Sequence, residues 1–527
     1  MGNAAGAAGC QEEQGVTETP EMVNTQAEIQ ELGECRTESK KTPTTTDEGP
    51  LPAPRSFSAG VLAVDRDIMR GISLKETLRW GGRLWRKSPI DMSELAKASL
   101  WSRSIKVDHF DLFLSHTWAT SGFLKFLSLS FHLGKLHALL AWAVAGLVLS
   151  LLTCFGILPT RSSFSMTHHD FSVDCPWGGW LSSEFMAVPM LTLVVVPYLP
   201  DLLVKMQVCF LDVVSINQTD PEMKERGIYG LGGFLASSKE LRILWSQPYL
   251  TRLWCVFELA AFRAANPTGK ITLDPLCIEA AVASLWISTS ACVLLYPRVV
   301  HAGGDSGVLS VLLAMTPYFL IFHSLRKSLF MKRLLFAELE KFELERVQCR
   351  QDYDREFVYA AIKDWYGSLE AFTAYVRGPL RKELLADHMT TRLHWRSTLL
   401  VVTPVISLGL DIFWAVVLAD APANTLLSYG LVLVMGTCTC WAMTMMQLGA
   451  FLCGYFSCPS SSSIIVFAQS VAIFMVFLTI AGAGVRVGVM AMKHSVAAAC
   501  AYLAATLLAL FLTHADVPTP VVRVFRK

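Results

Sequence analysis

The chain has 527 residues, of which 53% are hydrophobic and 17% charged, and a formal net charge of +1. Soluble domains carry about 25% charged residues, so this composition argues against a wholly soluble enzyme and against collagen-like, disordered or disulfide-scaffold chains. The balanced charge gives no case for nucleic acid as a bulk partner. The 14 cysteines are scattered, several lie inside apolar runs, and none forms a C-x-x-C pair, so a zinc site is not indicated.

In chain order, residues 1–55 are polar, acidic and almost free of aromatic residues, which predicts a disordered tail. No cleavable signal peptide is expected there, and Gly2 and Cys10 are candidate lipidation positions. A basic lead-in, 56–109, follows. Hydrophobic runs then predict eight membrane spans, at 136–158, 184–203, 276–296, 307–325, 398–419, 425–447, 464–484 and 495–513. Pro189 and Pro197 interrupt the second.

Basic residues collect on alternate sides of these runs. Arg79, Arg83, Arg86 and Lys87 precede the first run. Lys224, Arg226, Lys239 and Arg242 follow the second, and Arg326, Lys327, Lys332 and Arg333 follow the fourth. The intervening loops are nearly bare. The asymmetry predicts an integral membrane protein with both termini in the cytoplasm and the lipid bilayer as its first partner. It divides the chain into a membrane hairpin at 136–203, a second at 276–325, and a cytoplasmic helical segment at 326–397. A four-span bundle at 398–513 and a short tail at 514–527 complete it.

Two cytoplasmic stretches, 110–135 and 204–275, read as one α/β domain split by the first hairpin. Phe110–Ser115 predicts a strand that ends in polar residues, and a second runs from Val208 to Asp212. Asp220, Pro221 and Glu222 open a helix predicted to reach about Ser237, because a capping acid, an N1 proline and a first-turn acid suit a helix start. A third strand at Leu241–Trp245 and a helix from about Tyr249 to Ala265 follow. Alternation of strand and helix predicts a parallel sheet. In 326–397, apolar residues recur at helical spacing up to Gly378-Pro379, where a break is expected. That apolar stripe needs a partner, and the α/β domain is the nearest.

The motifs in these stretches resemble a Toll/interleukin receptor (TIR) domain. Asp111–Ser115 matches the first strand of that family and Phe210–Thr219 its second strand and loop. Trp254, Cys255, Glu258 and Leu259 match its WC-x-x-E-L helix. In this setting the chain is similar to TIR-like multi-pass membrane proteins of single-celled algae. The resemblance implies a flavodoxin-like parallel sheet and signalling by self-association. It also implies NAD hydrolysis, with NAD as substrate and Glu258 as catalytic residue. Ser115, His116, Thr117, Asp212 and Asn217 are the implied nucleotide contacts. The residues themselves allow two readings of Glu258. Its helical neighbours Trp254, Cys255, Ala261 and Phe262 include no base, which leaves it free for chemistry. It can equally be a solvated glutamate on an assembly module.

Two further features bear on function. His168, His169, Asp170 and Cys175 share the first outer loop, without fixed ligand spacing, and a wet loop is expected there. Asp411 lies inside the fifth predicted span, which raises a transporter or channel as the alternative function. The row Ala497, Ala501 and Ala505 suggests instead that the last span is a closely packed helix.

Overall fold

A computed structural model describes residues 62–168, 171–183, 186–302, 315–349, 352–386, 393–457 and 463–515. The 1–55 tail with Gly2 and Cys10, the loop residues His169 and Asp170, and the tail from 516 lie outside the described residues. The strands are β1 (Arg70–Ser73), β2 (Ile105–Lys106), β3 (Phe110–Ser115), β4 (Ser162–His168), β5 (Phe171–Trp177), β6 (Val208–Phe210), β7 (Ser238–Trp245) and β8 (Lys270–Pro275). Six of them form one mixed sheet in the order β2-β1-β6-β3-β7-β8.

The two halves of the split domain meet in this sheet. β3 pairs in parallel with β6, Leu112 opposite Cys209 and Phe113 opposite Phe210. On its other side β3 pairs in parallel with β7, from Phe110 opposite Ser238 to Ser115 opposite Ile243. Phe110, Leu112, Phe113 and Leu114 are all buried, the near-continuous apolar run of a strand covered on both faces. The Asp111 carboxylate ties the junction, accepting from the Val208 amide at 3.0 Å and from Lys239 at 2.8 Å. The inserted hairpin is tolerated because its ends return to neighbouring strands.

Both faces are covered. On one, Phe113, Phe210, Leu241, Ile243 and Trp245 pack against the helices Leu231–Ala236 and Leu253–Ala265. Beyond these, Leu335, Leu339, Phe342, Phe357 and Phe372 of the 326–397 segment join the same core. On the other face, Leu112, Leu114, Cys209, Leu211 and Leu244 pack with Leu129 of the long Gly122–Cys154 helix and with Leu78, Trp85 and Leu100 of the lead-in. The lead-in is thus part of the domain, and its β1 runs antiparallel to β6.

Several local expectations are corrected. The predicted 221–237 helix is two helices, Pro221–Tyr229 and Leu231–Ala236, which meet at Gly230. Its start is as expected, with Asp220 accepting from the Glu222 and Met223 amides at 3.0 and 3.1 Å. The helix expected from Tyr249 begins at Leu253, because Arg252 is extended. Gly378-Pro379 does not break its run. The wider hydrogen-bond spacing of a π-turn at Val376–Leu380 accommodates the proline, and helix continues to Ala386.

Six apolar helices are long enough to cross a membrane: Gly122–Cys154, Leu276–Leu295, Trp395–Leu418, Ala423–Tyr455, Ser463–His494 and Val496–His514. At 1.5 Å per residue each reaches about 28 Å or more. Among the described residues the expected second span yields the short apolar helix Val188–Tyr198, with Pro189 in its first turn and Pro197, which has no N–H to donate, where the α-helical part ends. The expected fourth span is described only from Met315, where the helix Thr316–Glu340 begins. That helix links bundle and domain, with Phe322 and Leu325 in the core of the helix bundle and Leu335 and Leu339 in the sheet core.

Polar residues inside the bundle have structural tasks. The Asp411 carboxylate accepts from the Leu181 and Ser182 amides at 3.1 and 2.7 Å, at the start of the short helix Trp180–Ser183. Arg326, which sequence places in a basic loop, is buried and donates to the Phe456 and Val466 carbonyls and to Gln469. Ala497, Ala501 and Ala505 are exposed. The packed face of the last helix is Ala499, Tyr502 and Thr506.

Candidate functional site

Among the four parallel strands, the first in chain order (β3) lies between the second (β6) and the third (β7), and the fourth (β8) follows. The order reverses between β3 and β7. Helices leaving these two strands therefore pass to opposite faces and open a crevice beyond the carboxyl ends, where α/β sheets bind ligands. Here the helix after β3 is Gly122–Cys154 and the helix after β7 is Leu253–Ala265. The loops between are joined by a Thr120–Ser246 hydroxyl hydrogen bond.

Glu258 projects from the second of these helices to the end of β3. Its carboxylate accepts from the Ser115 hydroxyl. Ser115 also contacts the Tyr249 hydroxyl at 2.5 Å, and Tyr249 reaches the Cys255 carbonyl at 3.5 Å. Ser115 and Tyr249 are fully buried, while Glu258 keeps a small accessible surface. Among the described residues no basic group pairs with Glu258. Burial raises its pKa from 4.5 to about 8 and the Asp212 charge adds to the rise, while the Ser115 hydrogen bond opposes it. The resting carboxyl therefore carries its proton at neutral pH. Burial also raises the Tyr249 hydroxyl and the Cys255 thiol well above their ordinary values, so neither is an ionised nucleophile.

The remaining sequence-predicted residues divide by task. His116 is buried, its Nδ1 lies 3.3 Å from the Leu114 carbonyl, and burial lowers its pKa to about 4. Thr117 accepts from the Ala119 amide at 3.2 Å and so shapes its own turn. Asp212 accepts from the Trp118 indole and the Val213 amide, both at 2.7 Å. Asn217 accepts from the Thr219 amide and hydroxyl, each at 2.9 Å, and from the Asp220 amide at 3.1 Å. Ser115, His116 and Asp212 gather at the crevice, while Asn217 orders the loop leading to the next helix. Phe113 and Trp245 are core residues; Trp254 is half-buried and donates to Asp354 at 3.2 Å.

Sequence reasoning missed Tyr249, Trp85, Trp118 and Lys125. Lys125 gave the clearest signal, a single cation among the first residues of an apolar helix. After the Gly122–Cys154 helix, β4 and β5 form a regular hairpin where a wet loop was expected, and Cys175 packs with Met166 and Tyr429. An open depression of about 640 Å³ beside that hairpin is lined by Arg161, Asp174 and Asp420, all exposed. The chain matches no family model, no curated protein and no solved structure.

Proposed function

We propose that the protein is a membrane-anchored, TIR-like signalling protein whose α/β domain lies in the cytoplasm, self-associates and hydrolyses NAD at Glu258. The observation that carries this reading is the Glu258–Ser115 hydrogen bond across the β3–β7 crevice. It sets an unpaired carboxyl where a nucleotide is expected to lie. The reaction breaks the bond between ribose C1′ and the nicotinamide nitrogen, and the electron pair leaves with nicotinamide. Water adds at C1′, and ADP-ribose and a proton are released. The ribosyl centre is cationic in the transition state, and a carboxylate beside it lowers the barrier. NAD brings a positive pyridinium, which favours loss of the Glu258 proton on binding and so forms the carboxylate where it is needed.

The helices give this domain a route to the membrane. Gly122–Cys154 and Thr316–Glu340 each pack in both a sheet core and the bundle, so the spans are coupled to the packing on both faces of the sheet. The transport alternative loses its main residue to a structural task, since both Asp411 oxygens are held by backbone amides.

The test uses the full chain in lipid vesicles at high and low protein density. Nicotinamide release is followed for wild type, Glu258→Gln and Glu258→Ala at matched amounts. Wild type should release nicotinamide, more at high density, and both variants should not. An inactive wild type at both densities, or variants that match it, removes the hydrolase and leaves the assembly role.

A further inference from the structure

On the side of the crevice away from Glu258, Lys125 and His116 lie within reach of the Asp212 charge, yet none of their outward nitrogens is hydrogen-bonded among the described residues. Lys125 is fully buried on the first turn of the Gly122–Cys154 helix, and its Nζ has no hydrogen-bond partner among the described residues. It lies over the Trp118 ring at 4.7 Å and the Trp85 ring at 5.9 Å from their centroids. His116, more than nine-tenths buried, stands edge-on to the same rings, with centroids 5.2 Å from Trp85 and 4.8 Å from Trp118. Its Nε2 and the Trp85 Nε1 are likewise buried and without partners among the described residues. Three buried nitrogens therefore share one aromatic cluster, beside a long helix whose N-cap residue, Ser121, makes no side-chain cap.

A buried polar atom left unsatisfied destabilises the fold, and more so when charged. The Lys125 ammonium and the Trp85 indole N–H lack an acceptor, while the neutral His116, whose Nδ1 faces the Leu114 carbonyl, presents an Nε2 that lacks a donor. An amine, an indole N–H and a helix N-terminus all favour an anion. The imidazole completes the set, either by accepting a ligand hydroxyl proton or by donating once protonated.

We propose that Lys125, His116 and Trp85 form an anion site for a phosphate group. In its fullest form this rests on the Glu258 reading: the phosphate belongs to a nucleotide that spans the sheet edge, its ribose at Glu258 on one face and its phosphate at Lys125 on the other. Trp85 also closes the site. Its carbonyl lies so near Gly122 that a Cβ there would meet it at 1.9 Å. The lead-in just before it turns through left-handed Trp80, Gly81 and Gly82, with φ of 57°, 63° and 65°. Trp80 is strained there, since only glycine adopts such φ freely. This turn is the hinge on which Trp85 lifts to admit the ligand.

The test is thermal unfolding of the full chain in detergent, for wild type and Lys125→Met, without ligand and with inorganic phosphate or ADP-ribose. Methionine keeps the length of the side chain and removes the unpaired charge. If Lys125 is held for an anion, the methionine variant melts higher than wild type without ligand and gains nothing from either probe. Wild type gains from ADP-ribose and, less strongly, from phosphate. Response to phosphate alone limits the site to free phosphate. The proposal is overturned if the variant melts lower without ligand, if it keeps the ligand gain, or if wild type gains from neither probe. Trp85→Phe, which keeps the packing and removes the indole donor, should weaken the gain without abolishing it; an unchanged gain would exclude Trp85 from the site. Nicotinamide release is measured on the same samples. Lys125-dependent binding without release sinks the hydrolase alone, and release by a wild type that lacks Lys125-dependent binding sinks the anion site alone.

Discussion

Glu258→Gln should stabilise the protein at neutral pH. The folded carboxyl has its pKa raised from 4.5 to about 8 by burial, so the folded state keeps a proton that the unfolded state releases. Stability therefore falls as pH rises through that window and is level on either side of it. Each pKa unit is worth about 1.4 kcal/mol, so at about pH 7 the glutamate costs about 3 kcal/mol relative to a neutral isostere. Glutamine keeps a carbonyl to accept from Ser115, and an imperfect replacement forfeits about 1 kcal/mol. The net gain is about 2 kcal/mol, or roughly 4–8 °C for a domain of this size. The assay is the unfolding midpoint of the full chain in detergent at about pH 5 and about pH 8. The two proteins should melt together in acid and diverge in base, the variant melting higher there; groups common to both, such as His116, cancel in the difference. A glutamine variant that parallels wild type, or melts lower at both pH values, would refute the buried-acid account.

Two further substitutions test the scaffold. Phe257 is fully buried, with ring centroids 5.5–5.8 Å from Trp254, Trp365 and Phe357, so Phe257→Ala should cost about 3–5 kcal/mol. Limited proteolysis should then cut in the loop between Glu340 and Asp352, and resistance equal to wild type would contradict the shared core. Asp411→Ala leaves the buried Leu181 and Ser182 amides without their acceptor, at about 1–3 kcal/mol each. The buried Cys175 thiol nearby should become reactive to maleimide, and unchanged protection would show that Asp411 does not hold this loop.

Local chemistry determined much of this protein from sequence alone. Runs of apolar residues predict spans because no polar backbone or side chain is tolerated unpaired in lipid. Asp220-Pro221 starts its helix because cap and ring geometry act within a few residues. The alternation of strands and helices placed β3, β6 and β7 in one parallel sheet. The resemblance of Trp254–Leu259 to a TIR helix marked Glu258, and the absence of basic helical neighbours left it without a helical ion pair. Other features depend on what lies across space. Whether 184–203 forms a helix long enough to cross is one. The short β1 and β2 carry no periodic signal and exist because β6 offers an open edge. The 326–397 stripe and the lead-in show an apolar face in sequence, but only the fold says which face of the sheet each one covers. Arg326 reads as a loop cation until the carbonyls of Phe456 and Val466 come to meet it. The crevice has the same origin. Glu258 acquires Ser115 from 143 residues away. Lys125 becomes a buried, unpaired cation only because Trp85 and Trp118 close over it, and no spacing within either segment encodes that meeting.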